Sequence, residues 1–173
     1  MESNFNIRRI HNSIIISLSA KPKFYAYILL SLIVIAMFLP LLNTAKITVD
    51  KIMVFVVYII LMALFPLKYA LWNVFGKETL VINRKSISYQ YDYGFIRNNL
   101  TTTTYQNLST HFQNFLIDKE KTLGKIHFYE EDEKTGLPNI FHITSIYITQ
   151  SQYEIIIEEI KSLFLQYEPF SMN

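Results

Sequence analysis

Residues 52–93 read IMVFVVYIILMALFPLKYALWNVFGKETLVINRKSISYQYDY, and the character of the chain changes inside this stretch, at Gly76. Up to Gly76 a single charge, Lys68, interrupts an apolar run. About 20 such residues are enough for a helix to cross a hydrocarbon core of about 30 Å. Beyond it the pattern alternates with period two. Leu80 and Ile82 share one face of 78–83, and in 86–93 Ile87, Tyr89, Tyr91 and Tyr93 lie opposite Ser86, Ser88, Gln90 and Asp92. Such alternation marks a half-buried strand, and Asn83, Arg84 and Lys85 supply the connection of a β-hairpin. A membrane span delivered directly into an antiparallel β-domain sets the fold class as α+β.

Upstream, residues 24–42 (FYAYILLSLIVIAMFLPLL) are nineteen residues without a charge and read as a first span, with a second over 52–75. The connector 43–51 is short, so the spans are predicted to form an N-terminal transmembrane helical hairpin. Pro40 falls near the end of the first helix, whereas Pro66 falls inside the second, where it should kink or fray the last turns. Lysine and arginine near span ends report orientation. Arg8, Arg9, Lys21 and Lys23 precede the first span, Lys46 and Lys51 lie between the two, and Lys68, Lys77, Arg84 and Lys85 end or follow the second. Four basic residues on each outer flank against two in the connector place both termini in the cytoplasm. Tyr25, Tyr27, Lys68, Tyr69 and Trp72 are then the anchors at one membrane interface, with Lys68 snorkelling towards it. A cleaved signal peptide ending near Ala45 is the rival reading, but a 23-residue leading segment is long for one, and the second span remains either way.

Downstream of the hairpin, residues 95–105 with their threonine run, 108–117, 124–129 and 139–144 continue the β pattern, giving six short strands. The end is helical. Ser151 with Glu154 has capping-box spacing, Ile156, Ile160, Leu163, Phe164 and Tyr167 fall on one face, and Pro169 stops the helix. Six or seven antiparallel strands and one amphipathic helix suit a small barrel or bent sandwich plugged by that helix. In the leader, residues 1–23, the stretch 10–18 also alternates through Ile10, Ile14, Ile16 and Leu18. It is expected either to add a strand to the C-terminal sheet or to be a loose juxtamembrane segment. The organisation is thus a cytoplasmic leader (1–23), two helices (24–76) and a cytoplasmic domain (77–173).

Composition narrows the function classes. The chain has 173 residues, 51% of them apolar and 17% charged, with four Gly and no Cys. An absent cysteine excludes disulfides, thiolate zinc sites and cysteine nucleophiles. The net charge of +2 divides into seven Lys/Arg against two Asp/Glu in 1–76 and nine against twelve in 77–173. Basic excess confined to the span flanks is no footprint for nucleic acid. Glu130, Glu131, Asp132 and Glu133 have the chemistry of a hard-cation site, but Lys134, Thr135 and Gly136 follow without EF-hand spacing, which reads as a solvated loop. His127 and His142, each beside large apolar neighbours, are placed on outer strand faces rather than in a joint metal site. No phosphate loop, nucleophile elbow or HExxH helix occurs, and no cofactor is expected.

The stretch WNVFGKE (72–78), followed by LVIN, SISYQYDYGFIR, Tyr105 and QNLS, resembles small bacterial membrane proteins that carry a pleckstrin-homology-like (bacterial PH) domain after two transmembrane helices. The resemblance implies a seven-stranded barrel capped by a C-terminal helix, in the bacterial inner (plasma) membrane. Lipid-binding relatives of that fold use a basic loop between the first two strands, so Arg84 and Lys85 become the candidate head-group contacts. As a fold-level analogy it implies no catalysis. The expected function is a non-enzymatic, membrane-anchored module for protein interaction or assembly, its partners being the bilayer and a protein or a second copy of itself. The alternatives are an anionic-lipid sensor and an accessory subunit of a membrane enzyme or transporter.

Overall fold

The structure is a computed structural model that describes residues 4–42, 48–118, 121–132 and 135–165. It is α+β, with antiparallel sheets and a C-terminal helix. Strands come first: β1 (Asn4–Ile10) and β2 (Ser13–Ser19) pair antiparallel around a turn in which His11 adopts a φ of 49°. The alternation upstream of the helices therefore divides into two strands rather than one over 10–18. Ile14, Ile16 and Leu18 are the buried face of β2, packed in one core with Ile126, Phe128, Ile156, Ile160 and Leu163, while its backbone pairs along its whole length with β3 (Lys77–Asn83).

Between those neighbouring strands lie the helices: α1 (Phe24–Leu42), α2 (Val49–Met62), one π-helical turn over Ala63–Leu67, and α3 (Lys68–Phe75). The expectation of an N-terminal helical hairpin is corrected here, whereas the expected strand from the segment before the helices is observed as β2, paired with β3 of the C-terminal sheet. The helices are an insertion into a sheet, lying in sequence between the paired neighbours β2 and β3. The backbone N–H of Ala20 donates to the carbonyl of Gly76 at 2.7 Å, fastening the exit and re-entry points together. Among the described residues one helix, continuous over Val49–Phe75, is long and apolar enough to cross a membrane; the apolar run Phe24–Pro40 is shorter. α1 lies alongside α2 and α3, and the Tyr58 hydroxyl donates to the Ala36 carbonyl at 2.9 Å. Pro66 sits in the π turn. A proline has no N–H for the helical ladder and its ring crowds the carbonyl four residues back, and the wider turn accommodates both.

One sheet has the order β1-β2-β3-β4-β5, with β4 at Ser86–Asp92 and β5 at Thr101–Thr104. The second joins β6 (Ser109–Asp118), β7 (Lys121–Glu131) and β8 (Pro138–Ile143), with β9 (Ile148–Thr149) also on β7. A closed barrel does not form. The predicted strand 95–105 shrinks to four residues because 93–100 folds into a braced loop, leaving β5 a short edge that does not pair with β6. α4 (Gln150–Leu165) bridges the two sheets by packing on β2 and β7 through Ile156, Ile160 and Leu163. Its capping box is Thr149 with Gln152, not Ser151 with Glu154. Thr149 N–H donates to Gln152 Oε1 at 2.9 Å, and Gln152 N–H to Thr149 Oγ1 at 3.2 Å. Phe164 is exposed, and Tyr167 and Pro169 lie outside the described residues.

Candidate functional site at the helix–sheet junction

The sequence brings three aromatic residues together where α3 runs into β3. Trp72 lies on the last turn of the helix, Tyr91 is on β4, and Tyr93 follows β4. The indole meets Tyr91 edge-on at 5.6 Å and Tyr93 at 5.2 Å between ring centroids. Gly76 permits the approach, since a Cβ there would stand 2.2 Å from the Trp72 carbonyl oxygen. Lys68, one turn earlier, places Nζ 5.0 Å over the Tyr93 ring. A groove of about 520 Å³ is lined by Leu64, Phe65, Lys68, Tyr69, Trp72, Tyr91, Tyr93 and Ser145. Trp72 and Ser145 also wall a smaller cavity of about 130 Å³ that reaches Lys21.

Beneath the groove is a buried hydrogen-bond network that joins the sheets. Glu78 shares the inward face of β3 with Leu80 and Ile82 and is 0% exposed. Its Oε1 accepts from His142 Nε2 at 2.6 Å, and its Oε2 accepts the N–H groups of Ser145 at 2.8 Å and Ile146 at 3.3 Å. His142, from β8, stacks on Tyr89 with centroids 4.1 Å apart. A carboxylate in the core is tolerated only when its oxygens are supplied with donors, and here both are. Burial pushes the Tyr91 phenol up; its bond to Ser145 opposes that shift, and the charge of Glu78 adds to it.

The junction is extended by the loop after β4. Gly94 turns at a φ of 94°, its N–H donating to Asp92 Oδ1 at 2.8 Å. Tyr93 N–H donates to the Ile96 carbonyl, and Asn98 Oδ1 accepts from Tyr91 N–H at 2.6 Å. Arg97 pairs with Asp92 at 2.6 Å. This bracing holds Phe95 and Ile96 outward at 83% and 61% exposure, with Phe95 beside Phe75 at the helix end.

The residues singled out from sequence are distributed unevenly around this site. Lys68, Tyr69 and Trp72 line the groove, while Tyr25 and Tyr27 are exposed on α1, with Lys23 Nζ 6.0 Å over the Tyr25 ring. Arg84 and Lys85 sit at the opposite end of β3 from the helix exit. Seven residues of strand separate them from it, about 20 Å at the usual rise. Arg84 donates through Nε and Nη2 to the Leu163 carbonyl in the last turn of α4, satisfying a helix-end acceptor. The candidate head-group contacts are thus placed as a far turn and a helix cap.

His142 is buried, not on an outer face: in register with Phe128, it shares that residue's inward side, and Glu78 supplies the partner that makes a core histidine tenable. His127 instead faces His111 across β6 and β7, with 6.5 Å between ring centroids. Burial lowers its pKa, and His111 and then Lys125 reinforce the shift. The two predicted outer-face histidines therefore point to opposite sides. Among the described residues no group of three or more His, Cys, Asp or Glu is placed to hold a metal. Glu130 accepts the N–H groups of Gln106 and Asn107, and Asp132 accepts that of Thr135, so these acids organise turns; Glu133 lies outside the described residues.

Glu78 and His142 were not apparent as a pair from sequence. The available signal was the period-two register, which puts Glu78 on the same face as Leu80 and Ile82. In comparisons with known proteins, no family model matches the chain and no curated protein matches it significantly.

Proposed function

We propose that the chain is a membrane-anchored, non-enzymatic module of the bacterial PH-like kind. Its helices sit in the inner membrane, and its two sheets and α4 serve protein interaction or assembly at the cytoplasmic face. The observation that carries this reading is the helix Val49–Phe75, whose most apolar window has a mean hydropathy of 2.3 and no buried share. Val54, Val57, Leu61, Leu64 and Phe65 are all exposed along it. A contiguous apolar surface of this kind is rare on soluble proteins and is stable in hydrocarbon. α1 lies alongside as the second element of the anchor.

Three further features support the reading. The basic residues that flank the helices favour a cytoplasmic location for both termini. Phe95 and Ile96, presented beside the helix end, suit a surface that faces the bilayer interface. The layout of two antiparallel sheets bridged by a C-terminal helix is compatible with the PH-like plan that residues 72–108 resemble. The clamp between Ala20 and Gly76 fixes the domain to the anchor at both chain crossings.

A protein contact is best accommodated on β8, which among the described residues pairs with β7 alone and exposes Ile140 and Ile143. An open edge with apolar side chains is a surface to which another chain adds. A photo-cross-linking residue at Ile140, compared with one at Lys85, tests this in intact membranes. A discrete protein adduct from position 140 alone is expected. Equal adducts from both positions, or lipid adducts from position 140, contradict the assignment.

A further inference from the structure

We infer that the groove between α3 and β4 is a binding site for one anionic phospholipid. Its phosphate lies at Lys68 among Tyr91, Tyr93 and Ser145, and an acyl chain lies along Leu64 and Phe65. The inference rests on the membrane seating proposed above and relocates the lipid contact from the turn at Arg84 and Lys85.

The first ground is the polarity gradient. Leu64, Phe65, Lys68, Tyr69 and Trp72 follow one another along a single side of the helix and line one groove. Eight residues of helix cover about 12 Å, so the groove passes from the apolar part of the helix to the sheet within the depth of a lipid's glycerol and head group. It is apolar at one end and carries an ammonium, phenols and a hydroxyl at the other, which is the order of groups in an amphiphile.

The second ground is charge. Among the described residues, Lys68 is the one charged side chain that lines the groove. Among the described residues no carboxylate pairs with Lys68. Glu78, which faces Tyr91 across β3 and β4, is fully buried with its oxygens occupied by His142 and backbone N–H groups, and Asp92 is paired with Arg97. The complement to such a lining is an anion. Trp72 and the tyrosines are the side chains that prefer the head-group level. Lys68 does more than snorkel, because its ammonium lies over the face of Tyr93 in a shallow, open groove between α3 and β4.

The test uses the full chain reconstituted in nanodiscs of equal phosphatidylcholine and phosphatidylglycerol, released into mild detergent and weighed by native mass spectrometry. The wild type is expected to retain one phosphatidylglycerol in preference to phosphatidylcholine. Lys68→Met is expected to lower that preference at least about tenfold, the loss of one charged hydrogen bond, with Lys68→Arg restoring most of it and Lys85→Met unchanged. Tyr93→Leu, expected to weaken retention in the same direction, is read by the same ratio should Lys68→Met fail to accumulate. Free glycerol phosphate added at millimolar concentration is expected not to displace the lipid. Displacement by it, equal retention of both lipids, or unchanged preference in both the Lys68→Met and Tyr93→Leu proteins overturns the site. Resistance of the same proteins to alkaline carbonate extraction is scored in parallel: an extractable wild type refutes the anchor itself, whereas resistant proteins with unchanged lipid preference refute the groove alone.

Discussion

Replacing Glu78 with leucine removes the acceptor for three donors: His142 Nε2, Ser145 N–H and Ile146 N–H. A buried donor left without a partner costs about 1–3 kcal/mol, and removing one member of a buried pair about 3–5 kcal/mol. Ser145 is only half-buried and can recover a bond to water. A loss of about 4 kcal/mol is therefore expected for Glu78→Leu. For a chain of this length each kcal/mol moves the midpoint by about 2–4 °C, so the melting temperature should fall by about 8–16 °C. The single tryptophan is a native reporter, since Trp72 stands at the junction 5.6 Å from Tyr91, and its fluorescence in detergent follows the melt. Adding His142→Phe to Glu78→Leu removes the stranded imidazole while keeping a ring against Tyr89. It should recover part of the loss, a coupling of at least about 1 kcal/mol. A melting temperature for Glu78→Leu within about 2 °C of wild type, or strictly additive substitutions, refutes the view that this network holds the two sheets together.

Two further outcomes follow from packing and titration. Gly76→Ala should lower the melting temperature and displace Trp72, because the new Cβ would stand 2.2 Å from the Trp72 carbonyl oxygen; an unchanged Trp72 emission maximum contradicts this. Tyr105 donates its hydroxyl to the Asn83 carbonyl, and burial raises its pKa from 10.0 to about 12. With the folded value raised, the unfolded chain loses its proton first. The tyrosine's contribution is then intact below pH 10 and declines as pH climbs towards about 12. Tyr105→Phe should cost about 1 kcal/mol at neutral pH and flatten the alkaline limb of stability against pH; an alkaline limb of unchanged slope counts against the assignment.

The parts of the fold visible in the sequence are those governed by local period. The alternation of Leu80 with Ile82 and of Ile87 with the tyrosines of β4 is observed as β3 and β4. The helical spacing of Ile156, Ile160 and Leu163 is observed as the buried face of α4. What failed depended on distant partners. The neighbours Phe141 and Ile143 point His142 outward, whereas its inward position is set by Glu78, which is 64 residues away. The strand expected over 95–105 gave way to side-chain bonds from Asp92 and Asn98, and its shortening left the barrel open. The capping box lay two residues earlier, at a threonine in the short strand β9. By contrast, the strand that the segment before the helices adds to the C-terminal sheet was among the sequence expectations and is observed as β2 on β3, which makes the helices an insertion into the sheet. The groove unites residues 64–72, 91–93 and 145, and no local pattern announces it.

Because the chain contains no cysteine, single cysteines report their side of the membrane without background. Thr48→Cys lies at the start of α2, between the helices, and Lys85→Cys at the far turn of the β-domain. Intact cells treated with a membrane-impermeant maleimide should label Thr48→Cys, while Lys85→Cys should react only after permeabilisation. Labelling of Lys85→Cys in intact cells, with Thr48→Cys protected until permeabilisation, would contradict the proposed anchor, in which the helix Val49–Phe75 crosses the membrane and the sheets lie on the cytoplasmic side.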